Sequence, residues 1–145
     1  DDPNHRLEGI RNAVDNAKLS LTESMIEYAT PDQEGGELAM QNLLATGAQF
    51  TAVLAYNDAM ASGAMTMLQD HGICVPDQVS VMGYDDVLLA KYCRPKLTTL
   101  RYPVEMMAAK AAELALKYAS GSKPEDGLTF KYTPTVVKRD SIIRI

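Results

Sequence analysis

Tryptophan is absent from these 145 residues, and cysteine and histidine each occur only twice. The two cysteines, Cys74 and Cys93, are too few for a disulfide scaffold and indicate a reducing compartment. No apolar run approaches the roughly 20 residues needed to span a bilayer, and the polar residues 1–6 are not typical of a signal peptide. We therefore expect a cytoplasmic protein without a membrane partner.

Basic residues are fewer than acidic ones: the chain has 14 Lys and Arg and 19 Asp and Glu, which gives a net charge of -5. This balance excludes a chain that coats nucleic acid or an anionic membrane by charge alone. Nine glycines and seven prolines are ordinary usage, which excludes collagen-like and disordered classes. The length fits one domain or a large part of one.

Apolar residues at steps of three and four predict amphipathic helices. Four are expected: one after the possible caps Asp2 and Asn4, one after a capping box at residues 30–33, one capped by Asn57-Asp58, and one opened by Pro103. The second helix should bury Leu38, Met40, Leu43 and Leu44, and the third should bury Met60, Ala64, Met67 and Leu68. Gly35 and Gly36 are costly inside a helix, so close packing or a nearby ligand is expected there.

Strands are predicted at residues 25–26, 50–56, 79–84, 97–100 and 135–138. The run at 50–56 is almost continuously apolar, as in a parallel strand covered on both faces. Alternation with the helices implies an α/β fold: an open, mainly parallel sheet with flanking helices. The chain begins in a helix with no strand before it, so we expect an incomplete fragment of a larger fold.

Polar clusters follow two of these strands, where ligands of open α/β sheets bind. Asn57-Asp58 follows the first and Asp85-Asp86 the second. Carboxylate and amide groups suit a polyhydroxylated ligand, although helix capping and loop contacts are equally open explanations. Arg6 lies at the start of the first helix, where it opposes the helix dipole; a ligand, a carboxylate partner or plain solvation would each account for it.

Enzyme templates are missing, since no phosphate-binding glycine loop, nucleophile elbow or zinc motif occurs. We expect no catalytic residue, no metal and no cofactor. A magnesium-dependent phospho-acceptor or phosphatase-like enzyme depends only on Asp85-Asp86 and would require saturable metal binding. Tyr28, Tyr56 and Tyr84 end apolar segments and could either stack on a ligand or pack in the core.

Four segments resemble, in order, motifs of the lactose/galactose repressor family: TAVLAYNDAMASGA at 51–64, VPDQVSVMGYDD at 75–86, PKLTTLR at 95–101 and PTVVKR at 134–139. Residues 30–37 and 101–103 are most similar to the galactose-operon branch of that family. The resemblance implies the C-terminal lobe of a core like that of periplasmic binding proteins. Residues 1-100 and 124-145 would form this lobe, and 101-123 would cross to an N-terminal lobe absent here.

The resemblance also implies a function. Arg6, Asn57 and Asp85 match the family positions that hold a sugar, whereas Asp58 and Asp86 are interpreted as capping and loop residues. Pro31 stands near the position of a sugar-facing tryptophan in the lactose repressor, so any stacking group must lie elsewhere, with Tyr28 one possibility.

The chain would be the effector-binding and dimerisation region of a bacterial transcriptional repressor, with galactose or a related sugar lowering operator affinity. Homodimers would form through residues 60–68 and 87–92, and operator DNA would be bound only by an N-terminal helix-turn-helix outside this chain. The alternative is a periplasmic sugar-binding transport protein, which would need an export signal upstream and act as a monomer.

Overall fold

The computed structural model describes residues 3–121 and 128–144, and within them it contains five α-helices, one 3-10 turn and a four-stranded sheet. In chain order these are α1 Pro3–Asn16, the turn Glu23–Met25, α2 Gln33–Ala45, β1 Ala52–Leu54, α3 Asp58–Asp70, β2 Ser80–Tyr84, α4 Leu89–Tyr92, β3 Thr98–Arg101, α5 Val104–Ala119 and β4 Thr135–Val137.

The sheet has the strand order β1-β2-β3-β4. The first three strands are parallel, with Val53 opposite Val81 and Met82 opposite Thr98. β4 is antiparallel to β3 and places Val136 opposite Leu100. The predicted α/β fold with an open, mainly parallel sheet is confirmed, and the carboxyl ends of β1, β2 and β3 lie along one edge.

Helices α2 and α3 pack through glycines, which explains why the sequence tolerates them. A Cβ on Gly36 would lie 2.2 Å from the carbonyl oxygen of Met60, and one on Gly63 would lie 2.1 Å from that of Gln33. Close packing, one of the two predicted reasons for Gly35 and Gly36, is therefore confirmed. The buried core beside this contact consists of Met40, Ala61, Ala64, Met65, Leu68, Val79, Val81, Ala90 and Leu97.

The start of α2 differs from its prediction. Asp32, not Thr30, is the N-cap: its carboxylate accepts a hydrogen bond from the amide of Gly35 at 2.7 Å. Thr30 instead donates to that carboxylate at 3.1 Å, so Pro31 lies before the helix. Leu38 is 54% exposed, because the buried face of α2 is formed by Gly36 and the residues three and four positions after it, Ala39 and Met40.

The first two predicted strands also need correction. No strand forms at residues 25–26: Met25 ends the 3-10 turn, and Ile26 is its C-cap, whose amide donates to the carbonyl of Glu23. The run at 50–56 forms only the three-residue β1, and Leu54 is 54% exposed. This strand is not covered on both faces, because one side lines an open, mostly apolar groove of about 980 Å³ between α1, the 3-10 turn and the sheet.

The other elements follow the sequence closely. α3 is capped by Asn57 as predicted, and Gly72, with φ +72°, follows its end. The short helix α4 was not predicted. Of the caps proposed for α1, Asn4 lies inside the helix, and Asp2 falls outside the described residues. No helix among 3–121 and 128–144 is both long and apolar enough to cross a membrane.

Candidate ligand-binding site

Arg6 is held at the carboxyl edge of the sheet by three tyrosines. Its guanidinium donates to the carbonyl oxygen of Tyr56 at 2.7 Å and to the hydroxyl of Tyr102 at 3.0 Å. Its central carbon lies 4.3 Å from the centroid of the Tyr56 ring and 4.1 Å from that of Tyr84. A cation over an aromatic face is attracted to it, and Arg6 lies over two. The structure therefore places Arg6 at the predicted edge, with protein partners and not as a solvated surface residue.

These tyrosines follow β1, end β2 and follow β3, so one cation joins α1 to three strands. The rings of Tyr84 and Tyr102 are 4.9 Å apart between centroids and tilted by 59°. Burial raises the pKa of Tyr102, and contact with Tyr84 raises it further, while the charge of Arg6 opposes this change. Tyr28, by contrast, is 73% exposed and makes no ring contact among the described residues.

Asp85 lies in the tight turn after β2. Its φ is +108° and that of Asp86 is +56°, a region that costs non-glycine residues on the order of 1 kcal/mol each. The amide of Asp85 donates to the carbonyl of Leu100 at 2.9 Å. In the part of the chain that the structure describes, the Asp85 carboxylate accepts no hydrogen bond. Burial raises its pKa, the charge of Arg6 lowers it, and that of Asp58 raises it further.

Asn57 uses both ends of its side-chain amide within the protein. Its oxygen accepts the amide of Met60 at 2.8 Å, and its nitrogen donates to the carbonyl of Pro31 at 2.8 Å. The helix-capping interpretation of this residue is thus confirmed. One acceptor site and one N–H remain for another partner, so contact with a ligand stays a prediction.

Asp58 is not a cap, in contrast to the sequence interpretation, but a buried connection between elements. Its side chain is enclosed, accepting the hydroxyl of Thr99 at 2.5 Å and the amide of Val87 at 2.9 Å. Burial raises its pKa and outweighs these two bonds, and the charge of Asp86 adds to the rise. A Cβ on Gly83 would lie 2.3 Å from one of its oxygens, so the glycine makes room for this carboxylate.

Asp86 carries two ion pairs, from Arg101 on one carboxylate oxygen and from Arg139 on the other, each at 2.5 Å. Burial would raise its pKa, but the hydrogen bonds and charges of the two arginines lower it overall. The magnesium hypothesis gains no support from this geometry, because guanidinium groups occupy the places a cation would need. Nor does any group of three or more metal-ligating His, Cys, Asp or Glu side chains form within 3–121 and 128–144.

Sequence reasoning missed Tyr102, Thr99 and Arg139. Arg6 and Tyr102 are 96 residues apart in the sequence, and Asp86 and Arg139 are 53 apart. No local pattern records such pairs.

Open, mainly parallel α/β sheets bind ligands at the carboxyl ends of their strands. Among the described residues, that edge carries an arginine, aromatic rings and a carboxylate that accepts no hydrogen bond, as in an α/β ligand-binding domain. The chain belongs to the periplasmic binding protein-like domain family, whose model matches residues 1–142. The fold expected from the sequence is therefore confirmed at the level of family.

Curated relatives are transcriptional regulators. The HTH-type transcriptional regulator GalR of Salmonella typhimurium is 46% identical over 141 residues, which are 97% of this chain and 41% of that protein. GalS of the same organism is 47% identical, covering 94% of this chain and 40% of that protein. The ribose operon repressor of Haemophilus influenzae is 37% identical over 95% of this chain and 41% of its own length. The chain thus spans about two fifths of these relatives.

Solved structures give the same result. A sugar-binding transcriptional regulator of the LacI family from Escherichia coli, solved with phosphate, matches with a TM-score of 0.83 and 34% identity over 95% of this chain and 49% of its own. The complex of the transcriptional regulator CelR with cellobiose matches with a TM-score of 0.88 and 30% identity over 94% and 41%. The resemblance to the lactose/galactose repressor family is confirmed, and a transport protein is not favoured.

Proposed function

We propose that this chain is the effector-binding and dimerisation region of a cytoplasmic, DNA-binding transcriptional repressor of galactose genes, and that galactose or a related sugar is its inducer. The observation that carries the proposal is that Arg6, held by tyrosines, lies at the same edge of the sheet as Asp85, whose carboxylate accepts no hydrogen bond from any described residue. The choice of galactose follows the resemblance to the galactose-operon branch of the family, and the higher identity to GalR and GalS, 46% and 47%, than to the ribose operon repressor, 37%, supports that branch.

Sugar recognition would use the hydrogen-bond donor and acceptor positions of Asp85, Arg6 and Asn57 that no described residue occupies. Asp85 can accept two neighbouring hydroxyls, because a carboxylate has about four acceptor positions. Arg6 donates two of its five guanidinium N–H groups to the tyrosines, so the others can donate to a ligand. Asn57 adds one donor and one acceptor. The Tyr56 and Tyr84 rings lie against Arg6, so hydrogen bonding would dominate over stacking on these two rings.

The lobe assignment from the sequence is part of this proposal. Residues 1-100 and 124-145 would form one lobe, and 101-123 would cross to a second. Support comes from α5, in which every apolar side chain stays at least partly exposed: Val104, Met106 and Leu116 are 62%, 63% and 72% exposed. An apolar helix of this kind is covered in a larger assembly.

The proposed dimer face is narrower than the sequence suggested. Met60, Ala64 and Leu68 are at most 9% exposed, because they pack inside this chain, so they are not free to contact a partner. The segment 87–92 is available: Val87, Leu88 and Tyr92 are 45%, 62% and 67% exposed. We assign the homodimer contact to this segment.

Sugar binding would act on DNA through a coupling free energy between two sites, typically 1–3 kcal/mol in proteins. Bridging of the two lobes by the sugar would favour one lobe arrangement and disfavour the arrangement that binds the operator. The operator itself would be held by an N-terminal helix-turn-helix outside this chain.

The test uses the full-length protein that carries this region, with DNA that it selects from a random-sequence pool. Fluorescence anisotropy then measures DNA release by galactose, glucose and ribose. We expect release by galactose, loss of that release in Asp85→Asn, and no change in Asp77→Asn, which alters an exposed aspartate away from the site. DNA binding that none of the sugars affects would contradict the proposed inducer, and absence of selected DNA would contradict the repressor function.

A further inference from the structure

The side chain of Asp86 connects three segments: the turn at 85–86, the end of β3 and the segment that follows β4. The carboxylate is only 3% exposed, and its two oxygens have different partners. Nε and a terminal nitrogen of Arg101 donate to one oxygen at 2.6 and 2.5 Å. Arg139 donates to the other. Because each oxygen is held from a different direction, the carboxylate fixes both arginines relative to the turn at 85–86.

The two arginines lie on the two segments that flank α5. Arg101 is the last residue of β3, directly before the connection into α5, and Arg139 follows β4, where the chain has returned. Arg139 is also anchored elsewhere, since it donates to the carbonyl of Leu97 at 2.8 Å and its amide donates to the hydroxyl of Thr98 at 2.9 Å. The side chain of Arg101 is 55% exposed and, within 3–121 and 128–144, pairs with Asp86 alone.

Asp85 and Asp86 are consecutive residues with positive φ, a conformation that needs support from its surroundings. That support comes from the amide of Asp85 on Leu100, from Asp58 on the amide of Val87, and from the two arginines on Asp86. The position of the Asp85 carboxylate therefore depends on contacts to β3 and to the segment after β4.

We propose that Asp86 is a positioning residue: through Arg101 and Arg139 it holds the Asp85 turn in its ligand-binding conformation and connects that turn to the two segments flanking α5. This inference rests on the proposed function, in which Asp85 holds the sugar and α5 crosses to a second lobe. A change in the angle between the lobes would then act on the sugar contact through Asp86.

The test changes Arg101, whose exposed side chain can be replaced with little effect on folding. Arg101→Gln removes one ion pair to Asp86, and Arg101→Lys restores the charge. Arg11→Gln is the matched control, because it breaks a surface ion pair with Glu23 that lies away from the turn at 85–86. In the full-length protein we expect Arg101→Gln to bind galactose roughly tenfold more weakly. Arg101→Lys should recover part of this affinity, and Arg11→Gln should match the wild type.

A second readout separates this inference from the proposed function. Backbone amide NMR signals of residues 85–87 in this chain should shift or broaden in Arg101→Gln and stay unchanged in Arg11→Gln. If the wild type binds no sugar, the proposed function fails, and these signals still decide whether Arg101 holds the turn. Unchanged signals, or unchanged galactose affinity in a wild type that binds it, would overturn the inference.

Discussion

The guanidinium carbon of Arg6 lies 4.1 Å from the centroid of the Tyr84 ring and 4.3 Å from that of the Tyr56 ring. Arg6 comes from α1, whereas the two tyrosines come from the ends of β2 and β1. A long, flexible side chain is thereby held in one orientation before any ligand arrives, which lowers the entropy that binding must overcome.

Replacing the Tyr84 ring should therefore weaken sugar binding without removing any group that touches the sugar. We expect Tyr84→Leu to lower galactose affinity about fivefold, the equivalent of ~1 kcal/mol for a cation–π contact. Tyr84→Phe keeps the ring face and should stay within about twofold of the wild type. Calorimetric titration of the full-length protein measures both, and equal affinities for Leu and Phe would show that the ring does not hold Arg6.

Asn57 contributes to stability through two separate bonds. Asn57→Ala should lower the free energy of unfolding by about 2 kcal/mol, roughly half from the lost helix cap and half from the bond to Pro31. Asn57→Asp keeps the capping oxygen and should lose only about 1 kcal/mol. Urea unfolding of the chain, followed by circular dichroism, measures these changes. Identical losses in both variants would contradict the division of the lost free energy between the helix cap and the bond to Pro31.

The contact between α2 and α3 should not tolerate a methyl group. Gly36→Ala places a Cβ 2.2 Å from a backbone oxygen, so the helices must separate, at a cost of about 3 kcal/mol or more. Gly9→Ala is the matched control, since nothing lies within 4 Å of its new Cβ, and it should stabilise α1 by up to about 1 kcal/mol. In thermal unfolding, the melting temperature should fall in Gly36→Ala and rise in Gly9→Ala. An unchanged melting temperature in Gly36→Ala would contradict the close helix contact.

Asp86 should stabilise the fold at neutral pH and lose that effect in acid. Its arginines hold its pKa below the ordinary value of 3.8, so the folded state binds fewer protons here than the unfolded state. The contribution is thus complete above 3.8 and disappears as pH falls through the folded pKa. Asp58 and Asp85 have raised pKa values and act in the opposite sense, so the comparison must isolate Asp86.

The measurement is the difference in unfolding free energy between the wild type and Asp86→Asn across roughly pH 2.5 to 6. A difference that is constant near pH 6 and shrinks below the ordinary aspartate pKa agrees with the ion pairs. A difference that grows in acid would contradict them.

Much of the fold was predictable because local signals determined it. The cap and spacing of α3 and the opening of α5 by Pro103 are properties of neighbouring residues. The turn at Glu23–Met25 was mistaken for a strand because two adjacent apolar residues carry no period. Thr30 and Asp32 are both good caps, and the competition between them is decided by which oxygen reaches Gly35.

The site was predictable only in part. Arg6 and Asp85 do come to the same edge, as strand-end position and resemblance together indicated. The identity of the groups around them was not accessible, since Tyr102 reaches Arg6 and Arg139 reaches Asp86 only through tertiary structure. For the same reason Asp58, predicted as a cap, proved to be a buried partner of Thr99.

The central claim, that Arg6 and Asp85 form a galactose site, is tested most directly by calorimetric titration of the full-length protein with D-galactose, glucose and ribose. The wild type should show saturable binding that favours galactose, Asp85→Asn and Arg6→Met should each abolish it, and Asp77→Asn should bind as the wild type does. Galactose binding that survives both Asp85→Asn and Arg6→Met would contradict the claim.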